Sequence, residues 1–583
     1  MLMFRGINYL SSGYRSLSLV GDIVMIRSQF TQYKGLATFR TVGCFLPKQH
    51  SSSTIDNNYI VRSPFKTVPI PETNFYSHVF QHFPKYGKKT ALIDGVTGRE
   101  YSYNEVQESV VNMASGLVRS SMQKGDVLAL VSPNSAEFCT TFFSTLAMGG
   151  IMSTCNPSYT SEELAYQFKN SNSKYIATIP TLLPTIQEAA SKAGCVEKII
   201  VLGDDGGVGE GKDLISYQSL VKDSGSRFPT DIKLDPMNDV AIIPYSSGTT
   251  GNPKGVVMTH YNMSSCLVQL EHGGLISDYY RIGRSLCVLP FFHMAGFLMN
   301  MTCGLHVGST SVTMPKFEPE HFLRTISQYK VTYTNLVPPL ILFLANHSMV
   351  DKYDMSSLKH ISYGAAPTGF KLATAVKKRL SLDCLQHGFG MTEIGITHLT
   401  PQDVFKPKSI GLQFMHNLCK IVDVKTGTAL GPNIPGELVI QGPQVMREYL
   451  NNPEATKATI RDGWFHTGDL GYYDENGYFY VTDRLKELIK VKGFQVAPAE
   501  LEALLLQHPH ISDVAVIGVD DEKYGELPQA FVVRSSDELS EQEVEDFVKG
   551  RVAEHKQLRG GVKFIKQIPK SLSGKILRKL LRQ

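Results

Sequence analysis

The sequence contains no C-x-x-C pair, although it has nine cysteines. They are scattered from Cys44 to Cys419 and do not cluster with histidine. An odd, dispersed set of thiols argues against a disulfide framework and against a structural zinc site. We therefore expect a chain that folds without cross-links in a reducing compartment.

The chain also lacks the basic surplus that nucleic-acid-binding proteins carry. Its formal net charge is +4, but residues 1–54 alone hold six Lys and Arg side chains against the single acid Asp22. The remainder of the chain is close to neutral, at −1. A neutral body offers no electrostatic footprint for DNA or RNA, so we expect no nucleic-acid partner.

Long uncharged runs are rare. The best candidate for a membrane span is residues 288–305, which is uncharged and about the required length. Pro290, His293 and Asn300 interrupt its apolar character and would weaken a lipid-facing helix. We therefore expect a buried segment that lines a pocket, and no transmembrane span.

Acidic residues are nearly absent from the amino terminus, which is rich in Ser, Thr, Arg and aromatic residues. This composition is typical of an organelle transit peptide, and it predicts a mitochondrial leader over residues 1–57. The alternatives are a disordered tail on a cytoplasmic protein and a true start at Met25. The carboxyl terminus, "KILRKLLRQ", lacks the Ser-Lys-Leu peroxisomal tripeptide.

Strand and helix patterns alternate through the body of the chain. "GDVLALVSP" (125–133) predicts a buried strand, and residues 134–150 predict a helix. Residues 160–171 predict a second helix, with Thr160 as its N-cap. Such alternation predicts an α/β fold with layered sheets and helices.

The pattern changes near residue 463. Aromatic strands with Asn-Gly at 476–477 predict a hairpin, and the charged connector "DRLKELIK" follows it. We place a domain boundary at Asp483, which gives a large domain over 58–482 and a small α+β domain over 483–583.

One short stretch, "YSSGTTGNPKG" (245–255), is too small and too polar to build a core. It lies between an apolar strand and a second strand that leads into a helix. A Gly-rich loop in this setting can direct several backbone N–H groups at one anion, with hydroxyls and a Lys beside them. It predicts a phosphate site, but not the Walker type, since no Lys-Ser/Thr follows at the required spacing.

"YSSGTTGNPKGVVMTH" closely resembles the phosphate-binding signature of the adenylate-forming superfamily, which includes acyl-CoA synthetases, 4-coumarate:CoA ligases and beetle luciferases. The resemblance continues in the family's order through "YGAAP" (363–367), "HGFGMTEIG" (387–395), "WFHTGDLG" (464–471) and "DRLKELIKVKGFQVAPAELE" (483–502) to "SLSGKILRKLL" (571–581). It spans nearly the whole chain after the leader. The resemblance implies a large adenylation domain with a small mobile lid domain, and ATP, Mg²⁺ and CoA as cofactor and co-substrates.

The family's first half-reaction joins a carboxylate to the α-phosphate of ATP and releases pyrophosphate. Matching motifs imply that Thr392 meets the α-phosphate and that Glu393 binds Mg²⁺. Lys575 would bridge the substrate carboxylate and the α-phosphate from the small domain, which suits a flexible ammonium. The residues implied to cradle the β- and γ-phosphates are Ser246, Ser247, Gly248, Thr249, Thr250 and Lys254.

The resemblance also assigns residues that would bind the nucleoside of ATP. Asp469 would accept hydrogen bonds from both ribose hydroxyls, and Arg484 would donate to the same sugar. Ala365 and Gly388 would approach the adenine closely, with Phe389 stacked on the ring. His387 stands where coumarate ligases and luciferases commonly have Gln.

In the second half-reaction a thiol, usually that of CoA, displaces AMP after the small domain rotates. Lys490 would then face the acyl-adenylate, and Lys486 matches another adenylate contact. Lys316 matches a Lys that holds the nucleotide end of CoA, and His293 matches a gate between the acyl and thiol tunnels. Lys492 and Gly493 would line the pantetheine tunnel.

The acyl pocket of the family is built from three segments, near residues 291–298, 361–366 and 387–397. Here they carry no charged side chain beyond the motif residues, which favours a fatty or aryl acid over a polar acid. An amino-acid substrate is not expected. In the family, the acid of an "FD" motif pairs with the ammonium of such a substrate, and this chain has "PFFHMAG" in its place. Ala295 replaces a Tyr of the hydroxycinnamate enzymes, which favours a medium- or long-chain fatty acid over 4-coumarate. The predicted lining is Phe291, Phe292, Met294, Phe297, Tyr363, Phe389 and Ile394.

Three functions are compatible with these motifs. An ATP-dependent acid:CoA ligase is the leading interpretation. A luciferase-like oxygenase shares the first step, so the motifs do not separate the two. A non-catalytic binding module is disfavoured, because Lys575, Glu393 and Asp469 are all present.

Overall fold

The computed structural model describes residues 54–203, 213–246, 252–364, 369–491, 494–571 and 574–582. Its architecture is α/β, with three large sheets before Arg484 and one small sheet after it. Within the described residues, the first paired strand is Thr54–Ile55, four residues before the predicted start of the body at Asn58.

Two of the large sheets have a parallel centre, as the alternation of strands and helices predicts. In spatial order, the first comprises Tyr245–Ser246, Lys254–Thr259, Val240–Ile242, Ile151–Cys155, Val127–Val131, Ser173–Thr178, Lys198–Val201 and Leu214–Ser216, with Glu448–Tyr449 beside the second strand. The second comprises Leu412–Gln413, Gly395–Leu399, Cys384–Met391, His360–Tyr363, Tyr333–Leu336, Arg284–Cys287, Thr310–Thr313, Thr90–Asp94 and Glu100–Ser102.

The third large sheet is antiparallel. It comprises Thr54–Ile55, Val61–Arg62, Leu418–Val422, Gly436–Gln441, Trp464–Tyr473 and Ile460–Arg461, with Ala429–Leu430 and Phe479–Arg484 at its sides. The long strand Trp464–Tyr473 and its partner Phe479–Arg484 form the predicted hairpin, and Gly477 in its turn has φ 77°. Only a residue without a side chain adopts this conformation freely.

The helices lie between and around the sheets. Those of the large domain are Phe75–Phe80, Phe83–Tyr86, Tyr103–Arg119, Ala136–Ala147, Ser161–Ser171, Leu183–Ala193, Tyr217–Val221, His260–His272, Asp278–Arg281, Cys303–Val307, Pro319–Tyr329, Pro338–Asn346, Phe370–Arg379 and Pro453–Thr459, with a π-helix at Gly296–Thr302 and 3-10 turns at Pro180–Leu182 and Ser348–Lys352. The predicted N-cap at Thr160 is confirmed, since Thr160 and Glu163 form a capping box at the start of Ser161–Ser171.

The small domain is α+β, as expected. Its strands, in spatial order, are Phe494–Val496, Ile489–Val491, Gly525–Arg534 and Ile511–Asp521, with Val562–Phe564 beside the third. Its helices are Pro498–Leu505 and Glu541–Lys549, with 3-10 turns at Glu554–Lys556 and Arg578–Leu581. It has a hydrophobic core of its own around Val496, Leu501 and Val544.

The uncharged run 288–305 is buried, as its interruptions predict. It forms the π-helix Gly296–Thr302 and the start of the next helix, and every residue of Gly296–Thr302 is inaccessible to solvent or nearly so. Among the residues that the structure describes, no helix is both long and apolar enough to cross a membrane.

Candidate active site

The Gly-rich loop is flanked by two paired strands, and Ser246 lies opposite Lys254 in their antiparallel register. This pairing carries the Lys254 side chain back to the base of the loop. Several residues that the resemblance assigns lie outside the described residues: Ser247, Gly248, Thr249, Thr250, Ala365, Lys492 and Gly493.

Lys254 and Glu393 are joined through Tyr449, a residue that the sequence motifs did not single out. The Lys254 ammonium lies 4.8 Å from the centre of the Tyr449 ring. The Tyr449 hydroxyl donates a 2.8 Å hydrogen bond to Glu393 Oε1. Tyr449 therefore contacts both groups and fixes their relative positions. Its ring face binds the Lys254 ammonium, and its hydroxyl binds the Glu393 carboxylate.

Glu393 is suited to bind Mg²⁺. It is 6% exposed and lies in the turn after the strand Cys384–Met391, with Thr392 beside it. One of its oxygens is committed to Tyr449, which leaves the other for a cation. Mg²⁺ in nucleotide sites commonly takes one or two carboxylates and completes its shell with phosphates and water.

Asp469 and Arg484 are cross-strand partners in the hairpin. Arg484 Nε lies 3.0 Å from Asp469 Oδ1, while the buried Asp469 Oδ2 has no hydrogen-bond partner among the described residues. Burial raises the pKa of Asp469 to about 6, although the charges of Arg484 and Lys575 oppose that rise. A buried carboxylate oxygen without a donor is costly, and a ribose hydroxyl would supply the donor.

Lys575 belongs to the small domain but lies at the large-domain site. Burial and the Arg484 charge lower its pKa, while Glu487, Asp469 and Glu393 raise it. Next to it, a Cβ placed on Gly574 would lie 3.2 Å from Pro339 Cδ and 3.4 Å from Val337 Cβ. The Gly574–Lys575 loop therefore lies directly against the end of the strand Tyr333–Leu336.

Among the described residues assigned to the thiol step, three lysines lie at the surface. Lys486 and Lys490 are exposed, and Lys316 pairs with Glu318 at 2.8 Å. His293 is half-buried in the wall of a mainly apolar cavity, and its Nδ1 accepts a hydrogen bond from the Ala295 N–H. Lys575, in contrast, interacts electrostatically with Asp469 and Glu393.

His387 and Gly388 lie on the strand Cys384–Met391. The His387 ring stacks on Tyr363 with ring centres 4.7 Å apart, and its Nδ1 hydrogen-bonds the Ser409 carbonyl at 2.9 Å. Burial lowers the His387 pKa to about 4, so the ring is neutral. A Cβ on Gly388 would lie 3.1 Å from a Leu399 methyl, a tight contact that the Leu399 side chain would have to relieve by a small shift.

A cavity of about 90 Å³, called the acyl cavity below after the pocket that the resemblance implies, is lined in part by Val337, against which the Gly574–Lys575 loop lies. Among the described residues, its lining includes no Asp, Glu, Lys or Arg. Its mainly apolar lining includes Leu289, Met294, Ala295, Met299, Tyr363 and Phe389.

Four residues of the predicted lining do not reach this cavity. Phe291 is buried against Phe138, with ring centres 5.6 Å apart, and Phe297 is buried against Phe142 at 5.5 Å. Phe292 and Ile394 also pack in the core rather than along the cavity wall. The prediction was wrong for these residues because it took whole segments as lining, whereas neighbouring side chains in them point in different directions.

Comparisons with known proteins agree with this geometry. The family profile described as "AMP-binding enzyme" matches residues 79–450, and the profile of the AMP-binding enzyme C-terminal domain matches residues 500–575. The chain is 39% identical over 534 residues to a probable 4-coumarate–CoA ligase of Dictyostelium discoideum, covering 89% of this chain and 97% of that protein.

A 4-coumarate–CoA ligase of Arabidopsis thaliana is 39% identical over 546 residues, covering 92% of this chain and 97% of that protein. Among solved structures, ATP-bound MatB from Rhodopseudomonas palustris superimposes with a TM-score of 0.78 at 27% identity, covering 88% of this chain and 98% of that one. The chain therefore belongs to the adenylate-forming superfamily of AMP-binding enzymes, in its acid–CoA ligase branch.

Proposed function

We propose that this enzyme is an ATP- and Mg²⁺-dependent acid:CoA ligase whose acid is a compact aryl carboxylate of the 4-coumarate type. The observation that carries this proposal is a cavity whose described lining is uncharged and includes Val337, the residue against which the Gly574–Lys575 loop lies. Apolar side chains and a few uncharged polar groups favour an aryl or apolar acid over one with a second charge. The relatives named 4-coumarate–CoA ligases support the same acid class.

The reaction has two steps. First, a carboxylate oxygen of the acid bonds to the α-phosphorus of ATP, and the bond to the bridging oxygen breaks, so pyrophosphate leaves with that electron pair. Lys575 lies where it can hold the carboxylate and the α-phosphate together, and Lys254 neutralises the departing phosphates. Then the CoA thiolate attacks the acyl carbon and AMP leaves.

Mg²⁺ would be bound by Glu393, with Tyr449 fixing the carboxylate through its hydroxyl. When bound, the ion neutralises phosphate charge. Asp469 and Arg484 hold the nucleoside, and the unpartnered Asp469 oxygen is the position for a ribose hydroxyl.

A fatty acid is the second candidate. Ala295 leaves room in the wall, and Met294 and Met299 are flexible side chains that can rearrange around an alkyl chain. This alternative places the enzyme in fatty acid metabolism.

The test is a pyrophosphate-release screen of the full-length chain with 4-coumarate and with fatty acids of graded length, each with and without CoA. Turnover with 4-coumarate that yields its CoA thioester supports the proposal. Thioester formation with fatty acids alone selects the second candidate. Pyrophosphate release without any thioester contradicts the ligase, and light emission with luciferin would identify the oxygenase.

A mitochondrial location is proposed on the leader alone. Six basic residues against one acid in residues 1–54 are the composition that mitochondrial import favours. Fusion of residues 1–57 to a fluorescent reporter should direct it to mitochondria. A reporter that stays in the cytosol contradicts the location without affecting the proposed activity.

A further inference from the structure

A layer of buried polar side chains lies beneath the apolar acyl cavity. Asn335 and Ser362 are neighbours in the parallel register of two central strands, and each is 1% exposed. Both line the cavity, whose other walls are mainly apolar. Polar groups in such a place need hydrogen-bond partners, and Ser362 Oγ has them in the Tyr333 hydroxyl and His360 Nε2, each at 3.3 Å.

The Asn335 amide is held in one orientation. Asn300 Nδ2 donates to the Leu286 carbonyl at 3.3 Å, so the Asn300 Oδ1 atom must be the acceptor on its other side. Asn335 Nδ2 donates to that Oδ1 at 3.2 Å. This leaves Asn335 Oδ1 to accept the Tyr333 hydroxyl at 2.6 Å.

This arrangement uses only part of the hydrogen-bonding capacity of Asn335. A side-chain amide has two N–H donors, and the described residues accept one of them, through Asn300. The second N–H is thus a buried donor beside an apolar cavity. Leaving such a donor unpaired is costly, whereas an oxygen atom of a bound acid would satisfy it.

The layer is also uncharged. His360 is bonded through Nε2 to Gln386 Oε1 at 2.8 Å and through Nδ1 to Ser277 Oγ at 2.7 Å. Gln386 Nε2 donates to the Thr400 carbonyl at 2.6 Å, so Oε1 is the acceptor and His360 carries its proton on Nε2. Burial lowers the His360 pKa to about 3, which keeps the ring neutral. A neutral layer matches an uncharged oxygen better than a second carboxylate.

The position of Asn335 identifies which end of the acid it meets. The Gly574–Lys575 loop lies against Val337, at the end of the strand. Asn335 lies two residues further into the sheet, which is roughly 7 Å at about 3.3 Å per residue. If Lys575 holds the carboxylate, Asn335 faces the opposite end of a compact acid.

We propose that Asn335 is a specificity-determining residue that donates a hydrogen bond to an uncharged oxygen, such as a hydroxyl, at the end of the acid remote from its carboxylate. Asn300 and Tyr333 are positioning residues that fix the direction of the Asn335 amide. The inference rests on the proposed function, because it assumes that the cavity holds the acid.

The experiment compares 4-coumarate with cinnamate, which lacks the remote hydroxyl, in the full-length wild-type enzyme. We expect kcat/KM for pyrophosphate release to be at least tenfold higher with 4-coumarate, because a site built to hydrogen-bond a hydroxyl discriminates strongly against its absence. The Asn335→Leu variant keeps a similar volume without the donor, and its ratio should fall to near one. The ratio is insensitive to a partial loss of folded protein.

Asn417→Leu is the matched control, since Asn417 is a buried amide that does not line the cavity. It should leave the ratio unchanged. Tyr333→Phe removes only the hydroxyl that orients Asn335 and should lower the ratio part of the way, which keeps the test decisive if Asn335→Leu does not fold.

Two outcomes overturn the inference while the ligase stands: a wild-type ratio near one, or an unchanged ratio in both Asn335→Leu and Tyr333→Phe. Absence of pyrophosphate release with every acid tested contradicts the proposed function itself. The two failures are therefore distinguishable.

Discussion

Compared with the acyl cavity, the nucleotide side of the site is dense in charge, although both adjoin the Gly574–Lys575 loop. Lys575 lies within the electrostatic influence of Asp469, Glu393, Glu487 and Arg484. The acyl cavity, which shares Val337 with that loop, has no Asp, Glu, Lys or Arg in its described lining. Charges suit a triphosphate that is the same in every reaction cycle, whereas a neutral pocket selects the acid by shape and by uncharged hydrogen bonds.

The largest loss of activity is expected from substitution of Lys575, which lies on the charged side of the site. Lys575→Ala should lower pyrophosphate release roughly 10²–10³-fold, as expected when a donor to the developing transition-state charge is removed. Single-turnover measurement of pyrophosphate with saturating ATP checks this.

Lys579→Ala removes an exposed Lys of the same terminal segment and should retain full activity. A Lys575→Ala enzyme with unchanged pyrophosphate release would contradict the assignment. Lys490→Ala should instead retain pyrophosphate release and lose thioester formation, if the small domain rotates between the two steps.

Asp469 provides the second test, through pH. Because its pKa in the protein is about 6, it is ionised at pH 7.5 and protonated at pH 5. Protonation removes an acceptor for ribose and the charge opposite Arg484, so KM for ATP should rise as the pH falls through 6. The neutral layer of the acyl cavity, where the His360 pKa is about 3, should leave KM for the acid unchanged over that range.

The stability of the fold should change with pH in the opposite direction to ATP binding. The folded-state pKa of Asp469 is above its ordinary value of 3.8, so the ionised side chain destabilises the fold above pH 6, and this cost disappears as the pH falls through 6. Asp469→Asn should therefore raise KM for ATP about 10- to 100-fold, since hydrogen bonds to charged groups contribute about 1.5–3 kcal/mol, without lowering the melting temperature. Asp462→Asn, at an exposed position of the same sheet region, is the control.

Tyr449→Phe tests the link between Lys254 and Glu393 with a smaller expected effect. The ring under Lys254 stays, and only the 2.8 Å hydrogen bond to Glu393 is lost. The Mg²⁺ concentration needed for half-maximal activity should rise about tenfold, because the carboxylate loses its fixed direction. Tyr472→Phe, in a stacked tyrosine pair of the hairpin, should leave the Mg²⁺ dependence unchanged.

The smallest effect is expected from Ala295→Leu on the acyl side. Added bulk in the cavity wall should raise KM for 4-coumarate several-fold and leave KM for ATP unchanged. Equal changes in both constants would show that the two sides of the site are not independent.

Much of the fold follows from local patterns. The run "VLALV" becomes the buried strand Val127–Val131, and Thr160 with Glu163 forms the cap that its spacing predicts. The Asn-Gly pair at 476–477 closes the hairpin that carries Asp469 and Arg484. These features are decided within a few residues, so the sequence is sufficient to predict them.

The cavity was harder to predict. Within the run 288–305, Met294 lines the cavity but Phe291 and Phe297 turn into the core, because the π-helix and its neighbours set the direction of each side chain. Asn335 in "TYTNLV" is an amide in a strand that is buried along its whole length, and its place just before the apolar run "LVPPLILFLA" could have indicated a polar cavity floor.

By itself, the sequence determined the family, because the Gly-rich loop, Asp469 and Lys575 are each contained in a short contiguous motif. Only the tertiary structure brought Tyr449 to Glu393 across 56 residues, and Asn300 to Asn335 across 35. Such contacts form where separate strands and helices meet in the packed core. The fold therefore determines which side chains meet, and the adjacent residues in the sequence do not.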